Sequence, residues 1–386
     1  MQPNARVSAA IEILDTVLAG EPAEKALTTW ARRSRFAGSG DRAAIRDLVF
    51  NALRCKRSFS WLGGAETGRG LMIGALRAQA HDPSQVFTGE GHAPLPLTGD
   101  ETDHPPLAEA PEAVQLDLPD WLLPHMQNSL GETLHAVAAL MQNRAPVFLR
   151  VNTAKTDRAG AINQLKRDEI GAIPHDLSET ALEVVENPRR IANSTAYQQG
   201  LVELQDVASQ AVVDLLPTAR KVLDYCAGGG GKSLALAARQ AHVFAHDANF
   251  ARMRDIPARA ARAGAPIQCI ETAALADHSP YDLVLCDVPC SGSGAWRRSP
   301  DAKWRFSPEM LGDLLKTQND ILNKASALVA PNGALAYVTC SLLDLENAHQ
   351  IDRFCTDNPQ WKLQFSKRFT PLDGGDGFFV AVLQRS

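Results

Sequence analysis

The chain has 386 residues, 45% hydrophobic and 22% charged, with a formal net charge of −5. That is the composition of a globular chain of two or three domains, and no run of about 18 apolar residues argues for a membrane span. Its seven cysteines are odd in number, scattered and without a C-x-x-C pair. They read as reduced thiols rather than a disulfide framework, and no metal site is expected.

The opening residues M-Q-P-N-A-R-V-S-A-A-I-E-I-L-D mix acids into an apolar stretch and lack a secretory cleavage pattern, so a cytoplasmic address is expected. Net charge hides an uneven distribution: residues 1–80 hold 12 Lys plus Arg against 7 Asp plus Glu. Val7, Ile11, Ile13, Leu14, Val17 and Leu18 recur at helical spacing. A second helix is predicted from near Pro22 through Leu27 and Trp30. A third follows Ser39 and Asp41 and carries Ile45, Leu48, Val49 and Leu53, with Arg42, Arg46, Arg54, Lys56 and Arg57 on its polar side. Two readings of that side stay open, a solvated helix face or a basic surface that meets phosphates.

From about His81 to Asp120 the stretch has nine acids, no Lys or Arg, and many prolines. Such a composition buries little apolar surface and reads as a spacer. Trp121 to Gln142 then reads as a helix, Val147 to Asn152 as a strand, Thr156 to Lys166 as a helix and Leu182 to Val185 as a strand, a small α/β unit. From Gly200 onward apolar strands alternate with helical segments, the signature of a doubly wound parallel sheet. The expected strands are Lys221–Tyr225, His242–Asp247, Ile267–Ile270, Tyr281–Asp287 and Ala334–Cys340, with Gly377–Leu383 as one more.

V-L-D-Y-C-A-G-G-G-G-K-S reads as a strand, a glycine-rich turn and a helix. Gly228 to Gly231 let the backbone approach a ligand and present N–H donors at the helix start. The pattern misses the Walker loop at Cys226 and matches a dinucleotide fingerprint poorly. It fits either a nucleotide-like cofactor or a plain tight turn. Asp247 ends the next strand about 16 residues on, where an acid can bond a ribose.

Cys290 follows the strand ending at Asp287, and Cys340 ends another strand. Ligands bind beyond the carboxyl ends of such strands, so both thiols are expected in one crevice. Two thiols suit methylation of carbon 5 of a cytosine. One, as thiolate, adds to carbon 6 and makes carbon 5 nucleophilic; an acid near ring nitrogen 3 steadies the adduct; the second thiol assists elimination as a base.

The segments D-Y-C-A-G-G-G-G-K-S, D-V-P-C-S-G-S-G and V-T-C-S-L-L-D-L-E-N resemble the RNA 5-methylcytosine methyltransferases of the Sun group. So do Gly200 to Gln210, Arg297 to Trp304 and the closing D-G-F-F-V-A-V-L, in the same order, over about Pro119 to Ser386. The resemblance implies Cys340 as nucleophile, Cys290 in product release and Asp287 as the assisting acid. It implies S-adenosyl-L-methionine as cofactor, held by Cys226, Ala227, Gly228, Gly229, Gly230, Gly231, Lys232, Asp247, Arg252 and Asp287. The N-terminal part resembles a NusB-type helical domain, which points to the RsmB-type branch acting on 16S ribosomal RNA.

The expected fold class is α/β, a Rossmann-like methyltransferase domain (196–386) preceded by a small α/β RNA-recognition subdomain (119–195), an acidic linker (81–118) and an all-α NusB-like RNA-binding domain (1–80). A monomer that binds RNA and no membrane is expected. Two departures stand out: A-G-G-G replaces the usual A-P-G-G, and the acid near the adenine is either Glu271 or replaced by Thr272. Trp296, Arg297, Arg298, Lys303, Trp304 and Arg305 interleave rings and cations, a combination suited to an unpaired base and its phosphates. The alternatives are a transfer RNA cytosine-5 methyltransferase, a non-catalytic RNA-binding protein, or a small-molecule methyltransferase.

Overall fold

Hydrophobic periodicity of 3.6 at the start and runs of apolar β-formers later divide the chain into helical and sheet-based parts, and a computed structural model describes residues 1–385 of it. Two compact units result: Met1–Arg144 with Trp296–Phe306, and Ala145–Ala295 with the chain from Ser307 onward. Among the described residues, no helix is long and apolar enough to cross a membrane.

The first unit is built on α1 (Pro3–Leu18), α2 (Ala23–Arg33), α3 (Ser39–Arg54), α4 (Lys56–Gly63) and α5 (Gly68–Ala78). Ile13, Leu14, Ile45, Leu53, Leu71, Met72 and Ile73 form its fully buried centre, each stabilising by roughly 1.5–3 kcal/mol relative to exposure. The sequence pattern predicts three of these helices. The short α4 escapes it, and so does the glycine-rich α5, because glycine lowers helix propensity. Here glycine serves packing instead: a Cβ at Gly74 would lie 1.9 Å from the Phe59 carbonyl oxygen, so only glycine permits this approach.

Residues 81–118 are not the expected spacer. They form a strap over the helices, with Phe87, Ala113, Val114, Leu116 and Leu118 buried. Its prolines leave carbonyls without backbone donors, and arginines supply them. Arg69 donates to the carbonyls of Leu95 and Pro96, each at 3.0 Å, pairs with Glu101 at 2.7 Å and covers the Phe87 ring. Arg77 donates to the carbonyls of Leu62 and Glu101. Asp117, fully buried, accepts from the backbone N–H groups of Arg57 and Ser58 and from the Ser58 hydroxyl.

The expected single helix over 121–142 breaks at Gly131, whose φ is +52°, into Leu123–Leu130 and Leu134–Met141. Both pieces belong to the helical unit rather than to the small α/β unit. Segment 296–306 also folds into the helical unit. Trp296, Arg297 and Lys303 are buried, Lys303 and Trp304 donate to the carbonyls of Arg54 and Leu53, and the Arg54 guanidinium donates to the Arg297 carbonyl. These rings are therefore packing elements, not a free stacking platform for a base.

The second unit carries two sheets. β1 (Val147–Val151), β2 (Gly171–Pro174), β3 (Ala181–Glu186) and β4 (Val202–Leu204) form an antiparallel sheet in the order β2-β3-β1-β4. This sheet extends past the boundary expected at 195. β5 (Lys221–Asp224), β6 (His242–Ala245), β7 (Ile267–Cys269), β8 (Tyr281–Asp287), β9 (Val329–Thr339), β10 (Trp361–Phe369) and β11 (Phe378–Arg385) make a seven-stranded sheet in the order β10-β11-β9-β8-β5-β6-β7. Strands β5 to β9 are parallel; β11 is antiparallel to both β9 and β10. The helix Pro308–Ser326, capped by the Ser307 hydroxyl, packs on β8 and β9 through Leu322 and Ala325.

Candidate functional site

The site grows from the parallel strands at the middle of the large sheet. Register places Asp224 of β5 beside Leu285 of β8, and Asp287 of β8 beside Val338 of β9. The carboxyl ends of these strands therefore open on one edge of the sheet. From β5 the chain runs outward to β6 and β7, then returns to the opposite side as β8 and β9. That reversal makes a crevice between β5 and β8, the usual ligand position in an open α/β sheet.

The glycine turn follows β5. Gly230 has φ +80°, left-handed backbone that a side chain disfavours, and a Cβ there would meet Ile256 at 2.7 Å. The helix Gly231–Ala238 starts at this turn, so its first N–H groups are open to a ligand. Asp247, after β6, is almost fully buried. It accepts from the backbone N–H of Gly228 at 3.1 Å and that of Asn249 at 2.9 Å, and pairs with Arg252 at 3.0 Å. Loop, acid and Arg252 are thus brought together as expected. Thr272 is already bonded to the His246 ring, 2.9 Å away, and Glu271 is exposed.

Asp224 lies under this loop, 1% exposed. One carboxylate oxygen accepts from the Ser233 hydroxyl at 2.5 Å, and the other, Oδ1, is buried without a partner. Burial pushes its carboxyl up to about 7, against the Ser233 hydrogen bond. An orphaned carboxylate oxygen, a strand-end acid and a glycine cradle fit a cofactor with an ammonium group and a ribose. Burial likewise pushes the Cys226 thiol up, so it behaves as an inert lining group.

Lys232 connects the cofactor loop to the thiols. Its ammonium donates to the Asp287 carboxylate at 2.7 Å and lies 4.9 Å from the centre of the Phe378 ring. Burial opposes its charge, yet the Asp287 carboxylate outweighs burial and holds Lys232 above the ordinary lysine range. The Sγ atoms of Cys290 and Cys340 stand 3.5 Å apart, unbonded, each partly buried. The hydrogen bond to Cys340 drives Cys290 well up, burial and the negative charges of Cys340 and Glu346 adding to it.

The sequence reading missed what holds the two thiol loops together. Glu346 is fully buried. Its Oε1 accepts from the Ser291 backbone N–H at 2.8 Å and the Gln318 amide at 3.0 Å; its Oε2 accepts from the Ser291 and Ser341 hydroxyls, both at 2.5 Å. Ser293 adds a hydrogen bond from the Leu342 backbone at 2.8 Å. Residues next to Cys290 and next to Cys340 thus share one carboxylate. The signal in the sequence is an acid six residues after Cys340, within V-T-C-S-L-L-D-L-E-N.

Comparison with known proteins bears on the family and the fold. Residues 212–384 match the family described as 16S rRNA methyltransferase RsmB/F, and residues 118–191 match the RsmF/B-like ferredoxin-like domain. "Ribosomal RNA small subunit methyltransferase B" of Photorhabdus laumondii is 30% identical over 288 residues, covering 69% of this chain and 66% of the relative. Its namesake in Pasteurella multocida is 32% identical over 294 residues, covering 69% and 65%. The chain thus spans just under two thirds of the length of these relatives. Among solved structures, PH0851 has a TM-score of 0.78 at 22% identity, covering 100% of this chain and 99% of that one. NSun6 from Pyrococcus horikoshii with SFG has a TM-score of 0.62 at 17% identity, covering 69% and 98%; both likenesses concern the fold. With the α/β methyltransferase sheet, the ferredoxin-like sheet and the ordered segments in agreement, the chain belongs to the RsmB/F methyltransferase family.

Proposed function

We propose that the protein transfers a methyl group from S-adenosyl-L-methionine to carbon 5 of a cytosine in small-subunit ribosomal RNA, through a covalent bond between Cys340 and the base. The observation that carries this reading is the pair of thiols 3.5 Å apart beside the Lys232–Asp287 pair. Carbons 5 and 6 of a pyrimidine are adjacent, so two thiols at this separation can serve both. The curated relatives' names supply the RNA class. We read the enzyme as a cytoplasmic monomer.

The glycine turn from Cys226 to Lys232, with Ala227, Gly228, Gly229, Gly230 and Gly231, would cradle the cofactor, Asp247 taking its ribose and Asp224 its ammonium group. When bound, S-adenosyl-L-methionine supplies the methyl group from its sulfonium. Cys340 attacks as thiolate, forming an Sγ–C6 bond and moving electron density to carbon 5. The Lys232–Asp287 pair would supply a proton to ring nitrogen 3 through Asp287 as the Sγ–C6 bond forms, neutralising the charge that the addition delivers to the ring. Once the thioether has formed, Cys290 loses its hydrogen-bond partner Cys340 and gives its proton to solvent. Cys290 accepts the proton from carbon 5, the C5–H electron pair restores the double bond, and the Sγ–C6 bond breaks.

The reading is tested with labelled S-adenosyl-L-methionine and small-subunit RNA lacking the modification. The expected product is 5-methylcytosine at one position, abolished by Cys340→Ser. A methylated base other than cytosine, or activity untouched by Cys340→Ser, would refute it.

A further inference from the structure

Arginines in the helical unit act chiefly as internal clamps. Arg6 pairs with Asp41, Lys25 with Glu21, Arg46 with Glu24, Lys56 with Glu66, Arg57 with Asp120, Arg69 with Glu101, Arg144 with Asp47 and Arg305 with Asp301. Arg42, Arg54, Arg77 and Lys303 donate to carbonyls, and Arg297 and Arg298 are also engaged. The basic side of α3 expected from sequence is therefore largely occupied. Among the described residues of this unit, the cations left without a partner are Arg32, Arg33 and Arg35. They fall within four consecutive residues, at the end of α2 and in the turn to α3, and all are exposed.

Next to them is Phe36, 75% exposed. A largely exposed phenylalanine ring beside three cations is neither core nor cap. Arg32 and Arg33 also offset the dipole at the end of α2, but Arg35 and Phe36 lie beyond the helix, where that explanation ends. The same turn borders a cavity of about 920 Å³, to which Trp30, Ser34 and Phe36 contribute along with Asn4, Ser8 and Glu12. Its wall mixes an aromatic face with polar acceptors, the chemistry that receives an unstacked nucleobase.

We propose that the α2–α3 turn is a binding surface for single-stranded RNA, Arg32, Arg33 and Arg35 holding successive phosphates and Phe36 stacking a base at the mouth of the cavity. The proposal rests on the reading that the protein acts on RNA, and it assigns that contact to a surface the motifs do not mark. A protein partner is less suited, since one ring ringed by like charges offers little apolar area to bury.

The test uses the full chain and a labelled, unstructured 20-nucleotide RNA, with a duplex of equal length as control, titrated between about 50 and 200 mM salt. Each phosphate contact to a single strand contributes about 0.7 to the slope of log affinity against log salt. Replacing Arg32, Arg33 and Arg35 together with Gln should lower that slope by about 2. Phe36→Ala should weaken single-strand binding about 5- to 100-fold with the slope unchanged, Phe36→Trp should restore it, and duplex binding should be indifferent to both. All four positions are exposed, so the thermal midpoint should fall only by the few degrees that the helix-end charges of Arg32 and Arg33 contribute. Equal single-strand affinity and slope in wild type and the triple variant overturn the proposal. An equal loss on duplex with Phe36→Ala overturns the stacking. The assay needs no methyl transfer, so an enzyme that fails to methylate RNA yet shows this pattern refutes the proposed function and supports the patch.

Discussion

The thiol site and the helical unit handle charge in opposite ways. At the thiol site the charged groups are few, buried or half-buried, and held in place: Lys232 on Asp287, Glu346 among hydroxyls and amides. In the helical unit charge is abundant and used as mortar, with arginines satisfying carbonyls of a proline-rich strap and leaving one exposed trio over. The first arrangement fixes reacting atoms; the second replaces the backbone hydrogen bonds that prolines forbid. Breaking each in turn separates the two uses.

The largest effect is expected at Glu346. Glu346→Ala leaves two hydroxyls, one backbone N–H and one amide without their acceptor in a dry interior, a loss of about 4 kcal/mol. For a unit of this size that lowers the melting temperature by about 8–16 °C, measured by calorimetry, and it should free the two thiol loops. A change of less than about 3 °C would show that the carboxylate is not their tie.

Asp224 tests the cofactor side through pH. Its folded value, about 7, lies above the value of roughly 3.9 for an unfolded Asp, so the folded state binds its proton more tightly. The associated stability is full below about pH 4 and is lost as pH rises through about 7. Asp224→Asn removes that dependence, so its stability should overtake the wild type's as pH climbs from 4 to 8, by up to about 4 kcal/mol, read as a higher melting temperature. Parallel pH profiles for the two proteins would contradict the burial argument.

The smallest of the three belongs to the strap. Arg69→Ala removes donors to two carbonyls and to Glu101, a loss of about 2–3 kcal/mol. The readout is faster hydrogen exchange over residues 83–101, with the exchange of β5 to β9 unchanged. Exchange in 83–101 identical to wild type would return the segment to the role of a spacer.

The same contrast explains what the sequence disclosed. Apolar runs such as Y-D-L-V-L-C-D announce buried parallel strands, and Cys290, Cys340, Asp287 and Lys232 sit in short motifs at their ends, so their meeting was legible. β10 was missed because W-K-L-Q-F-S-K-R-F is an edge strand, mostly exposed and punctuated by lysines. β2 and β4 are too short to form a pattern. The strap was misread because composition shows only that 81–118 buries little on its own; its partners, Arg69, Arg77 and Ser58, lie elsewhere in the chain. Likewise nothing local distinguishes Arg54, tied to a carbonyl 243 residues away, from Arg33, which is free. Partner identity is a property of the fold, and Trp296 and Lys303 were read as RNA contacts for the same reason.

The central claim is the division of labour between the two thiols, and covalent trapping tests it most directly. Each single Cys→Ser variant is incubated with S-adenosyl-L-methionine and substrate RNA, then resolved under denaturing conditions. The account predicts that Cys290→Ser accumulates a protein–RNA adduct, since Cys340 still attacks but release fails, whereas Cys340→Ser forms none. An adduct formed by Cys340→Ser and absent from Cys290→Ser would contradict it and exchange the two roles.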